Sequence, residues 1–525
     1  MTEPCFEQIA DQGSDAGREW ETLSRDEAAP FIHRFQTARR SYVYDVNTGR
    51  IVQTGPVVWD IVEDFARLGD ERVLAGHVAA HGADAVAAAM REITAARDKG
   101  LFLSHRVAQI VPCDAAKVRE QLASHRGQLI LNITEQCNFR CSYCVYDGRH
   151  EAQRSHAPRN MQWETARAAI DDFLAHSKDT NAPAISFYGG EPLLNLPLIR
   201  QCVDHVRKDC GRADVLFAMT TNGALLEGEA ADLLAAERFQ IMVSLDGPAD
   251  AHDRNRRTRD GRPTWQRVTE NVQRFLEDHP DYKTNGRLRF NAVVTPSTDL
   301  REVQRFFETW GPLTDDMGLG ISPENQPADG QRPLCPTDPL AQSRDEVYAA
   351  FIARLKGGQV ARSHNSRANW VATAAFEQPF TMFHKRKYLS PHLPKKLLFT
   401  RPCVPGARRT FVTADGDYFA CERVPADGEG IIGNVREGVI PEKVIALLER
   451  WHAASAGQCR WCWCLPMCMV GCFATVREGG KLTPAAKQRA CAAHRRNMHK
   501  LLVEYCGVLE ENPKAFDYAK EIVFA

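Results

Sequence analysis

The sequence lacks the uninterrupted apolar run of about 18 residues that reads as a membrane-spanning helix. Its Ala-rich stretch at 75–90 is broken by His77, His81 and Asp84. It also lacks an excess of either charge: Lys+Arg 66 against Asp+Glu 67 gives a net charge of −1, which removes the global case for binding nucleic acid or an anionic membrane surface. The start, MTEPCFEQIADQGSD, has neither a basic flank nor an apolar centre, so it does not read as a signal peptide. No segment repeats. These absences point to a cytoplasmic protein with no nucleic-acid and no membrane partner. What is present is globular: 44% hydrophobic and 25% charged residues exclude a disordered or fibrous chain. At about 150 residues per domain, 525 residues suggest three to four domains. The residue in excess is cysteine, 17 in all, crowded into 137–144 and 403–491. A disulfide framework would spread them, and in a reducing compartment clustered thiols read as metal ligands or catalytic groups.

Residues 30–103 form a unit of their own. Ser41–Val46 and Arg50–Gln53 are strand-like and joined by Asn47-Thr48-Gly49, a hairpin signal. Val58, Ile61, Val62 and Phe65 then fall at helical spacing, followed by helical stretches at 71–80 and 83–98. A hairpin plus three helices outlines a winged-helix module, and no predicted recognition helix concentrates Lys and Arg. From 127 to 323 strands alternate with helices. The strand-like runs are Gln128–Thr134, Ala184–Tyr188, Leu216–Thr221, Gln240–Leu245, Arg287–Thr295 and Gly318–Ser322. Six β/α units imply an α/β fold with a parallel sheet, open or as a partial barrel, whose functional residues lie at the C-terminal strand ends. Residues 324–402 read as a linker or bridging insertion, with a proline-rich loop and the basic run His384–Lys396; 492–525 read as a helical tail.

Cys137, Cys141 and Cys144 end the first of these strands with C-x3-C-x2-C spacing. Three thiolates on one loop leave a fourth coordination position open, which suits a catalytic 4Fe-4S cluster better than structural zinc, although zinc remains open. The motifs on the next strand ends are Gly189-Gly190-Glu191-Pro192, Thr221-Asn222-Gly223 and Ser244-Leu245-Asp246-Gly247. Together with the cysteine spacing, this series resembles the radical S-adenosylmethionine (radical SAM) enzymes. The resemblance implies a partial (β/α)6 barrel and a cluster on Cys137, Cys141 and Cys144 whose free iron chelates SAM, the source of a 5′-deoxyadenosyl radical. It also implies that Gly189, Gly190, Glu191 and Pro192 bind the methionine amino group. In the same family Thr221, Asn222, Ser244 and Asp246 lie near the ribose and Tyr143 packs near adenine; from the basic loop after the fourth strand, Arg256 or Arg257 is expected to hold the SAM carboxylate by a bidentate pair.

The C-terminal region reads Cys403, Cys421, Cys459, Cys462, Cys468, Cys472 and Cys491. Its spacing resembles the SPASM domain, the auxiliary-cluster extension of radical SAM enzymes that modify peptides. The resemblance implies one 4Fe-4S cluster on Cys459, Cys462, Cys468 and Cys491 and another on Cys403, Cys421 and Cys472, three clusters in all. Some relatives carry a further cysteine just before the position of Cys403, whereas here the preceding residues are Thr400-Arg401-Pro402. Either Cys335 supplies that ligand or one iron stays open for a substrate thiolate. Cys464 matches no ligand position and reads as a packed thiol.

With that family in view, the N-terminal unit resembles the leader-recognition elements of peptide maturases, which bind a precursor peptide by strand addition at an edge, here Ser41–Val46 or its neighbour. The whole chain resembles the six-cysteine-peptide maturases that form Cys-sulfur-to-carbon thioethers, the ranthipeptide and sactipeptide type. The implied partners are a precursor peptide held by its leader and a reductant such as flavodoxin or ferredoxin. Carbon–carbon crosslinking, sulfatase-type formylglycine formation and a non-catalytic metal-stabilised scaffold are the alternatives.

Overall fold

The computed structural model describes residues 23, 25–149, 154–324, 334–358, 366–386, 393–398, 403–426, 428–454, 456–468, 470–473, 476 and 481–521. Part of the proline-rich loop and part of the basic run His384–Lys396 lie outside the described residues. The chain begins with an antiparallel sheet, β1 (Ile32–Gln36), β2 (Ser41–Asp45) and β3 (Arg50–Thr54), followed by helices Pro56–Ile61, Glu71–His81 and Ala83–Asp98. The expected hairpin is β2–β3, turning with Gly49 at φ +67. β1 has no sequence signal, because Ile-His-Arg-Phe-Gln mixes apolar and polar residues; its pairing with β2 makes it a strand. In the strand order β1-β2-β3, Ser41–Asp45 is central, so of the two strands expected to offer the docking edge it is the neighbour that lies at an edge.

Val43, Val58, Ile61, Val62, Val86, Ile93 and Phe102 form a core private to this module. The opposite side, Phe31, Phe35, Tyr42 and Tyr44, joins the main core. His33 stacks on Trp463 with ring centroids 3.6 Å apart, and its Nε2 lies 2.9 Å from His499 Nδ1. Thr37 and Tyr42 hydroxyls both donate to Glu510. Burial of these aromatic rings, stabilising at roughly 25 cal/mol per Å2 of apolar surface, seats the module on the C-terminal helix Pro484–Glu511.

A short strand β4 (Gln109–Val111) and the helix Ala115–Ser124 lead into the barrel. Its strands are β5 (Gln128–Thr134), β6 (Ala184–Gly189), β7 (Leu216–Thr221), β8 (Gln240–Ser244), β9 (Leu288–Val294) and β10 (Gly318–Pro323), parallel in the order β10-β9-β8-β7-β6-β5. These strands were legible because a parallel sheet covered on both faces needs nearly continuous apolar runs. Helices such as Trp163–Ala175 and Trp265–Asp278 cover it. Phe217 stacks on Phe239 at 5.3 Å inside the core.

Further along come β11 (Lys396–Leu398), β12 (Thr410–Val412), β13 (Asp417–Phe419), β14 (Ile431–Asn434) and β15 (Gly438–Val439). β11 pairs with β4, and β12 pairs parallel to β5, so the cysteine-rich segment continues the barrel sheet as β5-β12-β13-β14-β15. The described part of 324–402 is not an open linker: helices Pro339–Lys356 and Gln378–Lys385 bury Phe351, Phe380 and Phe383 in the main core. The C-terminal helix starts at Pro484, capped by Thr483, so Cys491 is carried on it.

Candidate functional site

Parallel strands place their C-terminal ends on one rim, so the loops after β5, β6, β7 and β8 meet there. The cysteine loop follows β5. Gly190 N donates to the Thr134 carbonyl and Glu191 N to the Gln136 carbonyl, each at 2.8 Å, which lashes the end of β6 to the start of that loop. The contact is so close that a Cβ on Gly189 would overlap the Thr134 carbonyl and one on Gly190 the Gln136 carbonyl. That is the physical need for two glycines here. Downstream, Arg140 N and Ser142 N donate to the carbonyls of Arg257 and Asn255, and Phe139 is buried beneath.

Cys137, Cys141 and Cys144 are half-buried and gathered on this loop. Phe139 N donates to Cys137 Sγ at 3.4 Å. Burial pushes the Cys137 thiol up to about 12 and the Cys141 thiol to about 11, and the charges of the neighbouring sulfurs push each further; Cys144 is raised for the same first reason. Three enclosed sulfurs that resist ionising together are what a bound multivalent metal centre stabilises as thiolates. The donor set therefore fits a three-thiolate iron–sulfur site. Chemically, such a site offers one metal position to an outside ligand.

Several residues expected to touch SAM also bond to one another across the rim. Glu191 is fully buried; its carboxylate accepts from Thr221 Oγ1 at 2.7 Å, Asn222 N at 2.7 Å and Leu193 N at 3.2 Å. Burial raises its pKa to about 7 against those three donors. The Glu191 carboxylate joins the ends of β6 and β7, and Pro192 starts the buried turn beside it. Asn222 Nδ2 donates to Asn138 Oδ1 at 2.7 Å, adding the cysteine loop to the same network. Arg256 is buried with its Nε 3.1 Å from Asp246 Oδ1, and its guanidinium acts on the Cys141 thiol, so it positions the cysteine loop. The Tyr143 hydroxyl donates to Asp246 Oδ2, and Val293 N donates to Asp246 Oδ1 at 3.0 Å, which leaves Asp246 2% exposed. Ser244 closes β8, half-buried. Asn138 and His252, which accepts from Asp246 N at 3.4 Å, carried no sequence signal because their roles exist only once the loops meet.

The C-terminal cysteines fall into two neighbourhoods. The charges acting on Cys468 come from Cys462, Cys491 and Cys459 after burial, and those on Cys491 include Cys462 and Cys459. The Cys464 thiol, fully buried, donates to Cys462 and draws the latter's pKa down to about 7, with Arg495 assisting. Separately, Cys403 faces Cys472, and Cys421 faces both. Lys487 lies beside the first set, 1% exposed, with its ammonium 3.4 Å from the Trp451 ring centroid. Among the described residues no single helix is long and apolar enough to cross a membrane.

Residues 131–302 match the Radical SAM superfamily. The chain is 25% identical over 179 residues to the radical SAM cyclopropyl synthase TigE of Paramaledivibacter caminithermalis, covering 32% of this chain and 35% of that one. It is 26% identical over 184 residues to the cysteine-type anaerobic sulfatase-maturating enzyme of Clostridium perfringens, covering 34% and 48%. The chain thus spans less than half the length of these curated relatives. The solved structure of native anSMEcpe with bound AdoMet and Cp18Cys peptide has the same fold, at TM-score 0.52 and 17% identity over 76% of this chain and 99% of that one. With the three-cysteine loop and the glycine lashing at the strand rim, these findings identify residues 131–302 as a radical SAM enzyme domain.

Proposed function

We propose that the chain is a radical SAM maturase that modifies a ribosomally made precursor peptide and most directly forms Cys-sulfur-to-carbon thioethers. The observation that carries the reading is the pairing of one three-cysteine loop on the barrel rim with two further cysteine neighbourhoods built onto the same sheet. Cys137, Cys141 and Cys144 would hold the SAM-binding cluster. Cys459, Cys462, Cys468 and Cys491 would hold one auxiliary cluster, and Cys403, Cys421 and Cys472 the other. When bound, the first cluster with SAM supplies a carbon radical able to abstract hydrogen. The chain's residues hold and orient that centre: Arg256 and Asp246 fix the loop from β8, and Glu191 with Asn222 fixes it from β6 and β7. Cys464 tunes Cys462 by its hydrogen bond.

Support for a peptide substrate comes from three directions. The Clostridium relative matures a sulfatase by its name, the anSMEcpe structure holds a peptide beside AdoMet, and the N-terminal sheet gives β3 a neighbour on one side only. The winged-helix-like module would take the leader along that β3 edge by main-chain hydrogen bonds. Forming a thioether removes a hydrogen atom from a carbon, which the SAM-derived radical would take, and a proton and an electron from the thiol; the auxiliary sites would accept that electron and pass it to the first cluster, which a reductant protein would prime.

The sulfatase-maturase relatives favour a second reading, oxidation of a peptide cysteine or serine to an aldehyde. One experiment separates the two. The anaerobically reconstituted chain is incubated with SAM, reductant and the small peptide encoded beside its gene. Loss of two hydrogens together with one alkylatable thiol supports thioether formation. An aldehyde product supports the second reading, and an unchanged peptide contradicts both.

A further inference from the structure

The helix Leu196–Asp204 runs on into a π-helical turn, His205–Asp209, which Cys210 N closes by donating to the His205 carbonyl at 2.9 Å. In an α-helix, residues five apart point about 140° away from each other around the axis. The wider turn instead brings Cys210 over His205, with Sγ 3.5 Å from His205 Nε2. From the neighbouring helix Trp163–Ala175, Asp171 places Oδ1 2.7 Å from the same nitrogen. The three ligand atoms lie within 4.8 Å of one another. We infer that Asp171, His205 and Cys210 bind a zinc ion on the outside of the barrel, with the fourth position left to water.

The imidazole is built as a metal ligand is built. Asp209 Oδ2 accepts from His205 Nδ1 at 3.0 Å, which fixes the proton on Nδ1 and aims the Nε2 lone pair at Asp171 and Cys210. The ring is held there, 6% exposed, with Trp163 packed edge-on at 5.5 Å. Zinc bonds of about 2.3 Å to sulfur and about 2.0 Å to imidazole nitrogen, at a tetrahedral angle, set those two atoms about 3.5 Å apart. That is the Cys210–His205 separation here. The Asp171 oxygen stands closer than a shared ion allows and draws back by about 0.6 Å, which its exposed carboxylate is free to do. A sulfur, a nitrogen and an oxygen in this arrangement select zinc over magnesium or calcium.

Charge favours the same ion. Two carboxylates and a thiol surround one imidazole, and Arg167 Nε, 3.6 Å from Asp171 Oδ2, offsets only part of their charge. The nearby cations Lys208 and Arg212 are paired with Asp204 and Asp214. An imidazolium bridging Asp171 and Asp209 would satisfy those carboxylates without a metal, but it would give Cys210 no role and the π turn no purpose. Helices Trp163–Ala175 and Leu196–Asp204 follow β5 and β6 and run back from the rim, so Asp171 and His205 sit toward the end of the barrel opposite the Cys137 loop. The ion therefore staples two adjacent helices and takes no part in SAM cleavage.

Zinc binding by the iron-loaded chain tests this, with the cluster cysteines already occupied. The anaerobically reconstituted protein is equilibrated with micromolar Zn2+, passed through a desalting column, and its zinc and iron are measured by mass spectrometry. The parent is expected to retain about one zinc per chain more than Cys210→Ser or His205→Ala, at equal iron. Asp209→Asn, which keeps all three ligands but loses the orienting carboxylate, should weaken the zinc affinity by about 10- to 100-fold. Alkylation of Cys210 by N-ethylmaleimide, followed by peptide mass spectrometry, should be slowed at least tenfold by Zn2+ in the parent and unaffected by it in His205→Ala. Equal zinc in parent and variants, no zinc in the parent, or a Cys210 alkylation rate indifferent to Zn2+ overturns the inference; the imidazolium bridge predicts the last two.

Discussion

Gly190 concentrates the demands of the rim into one residue. Its backbone N–H holds the cysteine loop, and its missing Cβ leaves room for the Gln136 carbonyl. Gly190→Ala should destabilise the protein by about 2 kcal/mol or more, since the obstacle is backbone that cannot rotate away. Gly211→Ala, at φ +64 but with nothing near its Cβ position, should change stability by only about 1 kcal/mol. Urea unfolding of the two variants checks the contrast. Asp246 makes the second residue-scale case. It accepts from Tyr143 and Val293 and faces Arg256 in a site closed to water. Asp246→Asn leaves Arg256 buried opposite a neutral group and should lower stability by about 3–5 kcal/mol. Unfolding midpoints measure it, and a loss under about 1 kcal/mol would show the pair to be unimportant. At this scale the sequence revealed which residues cluster but not their partners. Glu191 and Arg256 look like ligand contacts in a linear motif; that they bond to neighbouring loops depends on a burial that only the folded rim creates.

Among the elements, the barrel strands were readable and the N-terminal strand was not. β5 to β10 are rich enough in buried apolar residues to announce themselves, even where, as in β9, buried Leu288, Phe290 and Ala292 alternate with the less buried Arg289 and Asn291. β1 is a strand only because β2 and the C-terminal helix cover it. The joining of β12 to β5 had no signal either, because three-residue strands carry no period and their partner lies far away in sequence. The contact between β1 and the C-terminal helix leads to a pH prediction. Burial lowers the His33 pKa well below 6.5, and the charges of His499 and Arg34 lower it further; burial and then Lys500 lower that of His499. Both rings are thus favoured neutral in the folded state. The unfolded chain binds more protons, so the contact is fully stable above about pH 6.5 and weakens as pH falls below that value. Hydrogen exchange at Ile32–Gln36, corrected for intrinsic rate, should rise from pH 7.5 to 5.5. His33→Phe should flatten that rise; an unchanged slope would place the pH sensitivity elsewhere.

Taken whole, the molecule gathers its thiols in three places, one on the barrel rim and two around the segment that runs from β12 to the C-terminal helix, on which a small antiparallel module docks. The two cysteine groups of the C-terminal segment could be separated from sequence only through a family resemblance, since spacing does not say which sulfurs share a centre. The account predicts that cysteine content and iron content divide by site. Replacing Cys459, Cys462, Cys468 and Cys491 with Ala should remove about a third of the iron and leave SAM cleavage measurable, and complete loss of cleavage would mean that the sites are not separable.

The central claim is that Cys137, Cys141 and Cys144 form a centre that cleaves SAM reductively. The most direct measurement is 5′-deoxyadenosine released by the anaerobically reconstituted, dithionite-reduced chain, beside a variant in which those three cysteines are Ala and the C-terminal cysteines are intact. The account predicts product from the parent and none from the variant. Equal product from both, or none from a fully iron-loaded parent, would contradict it.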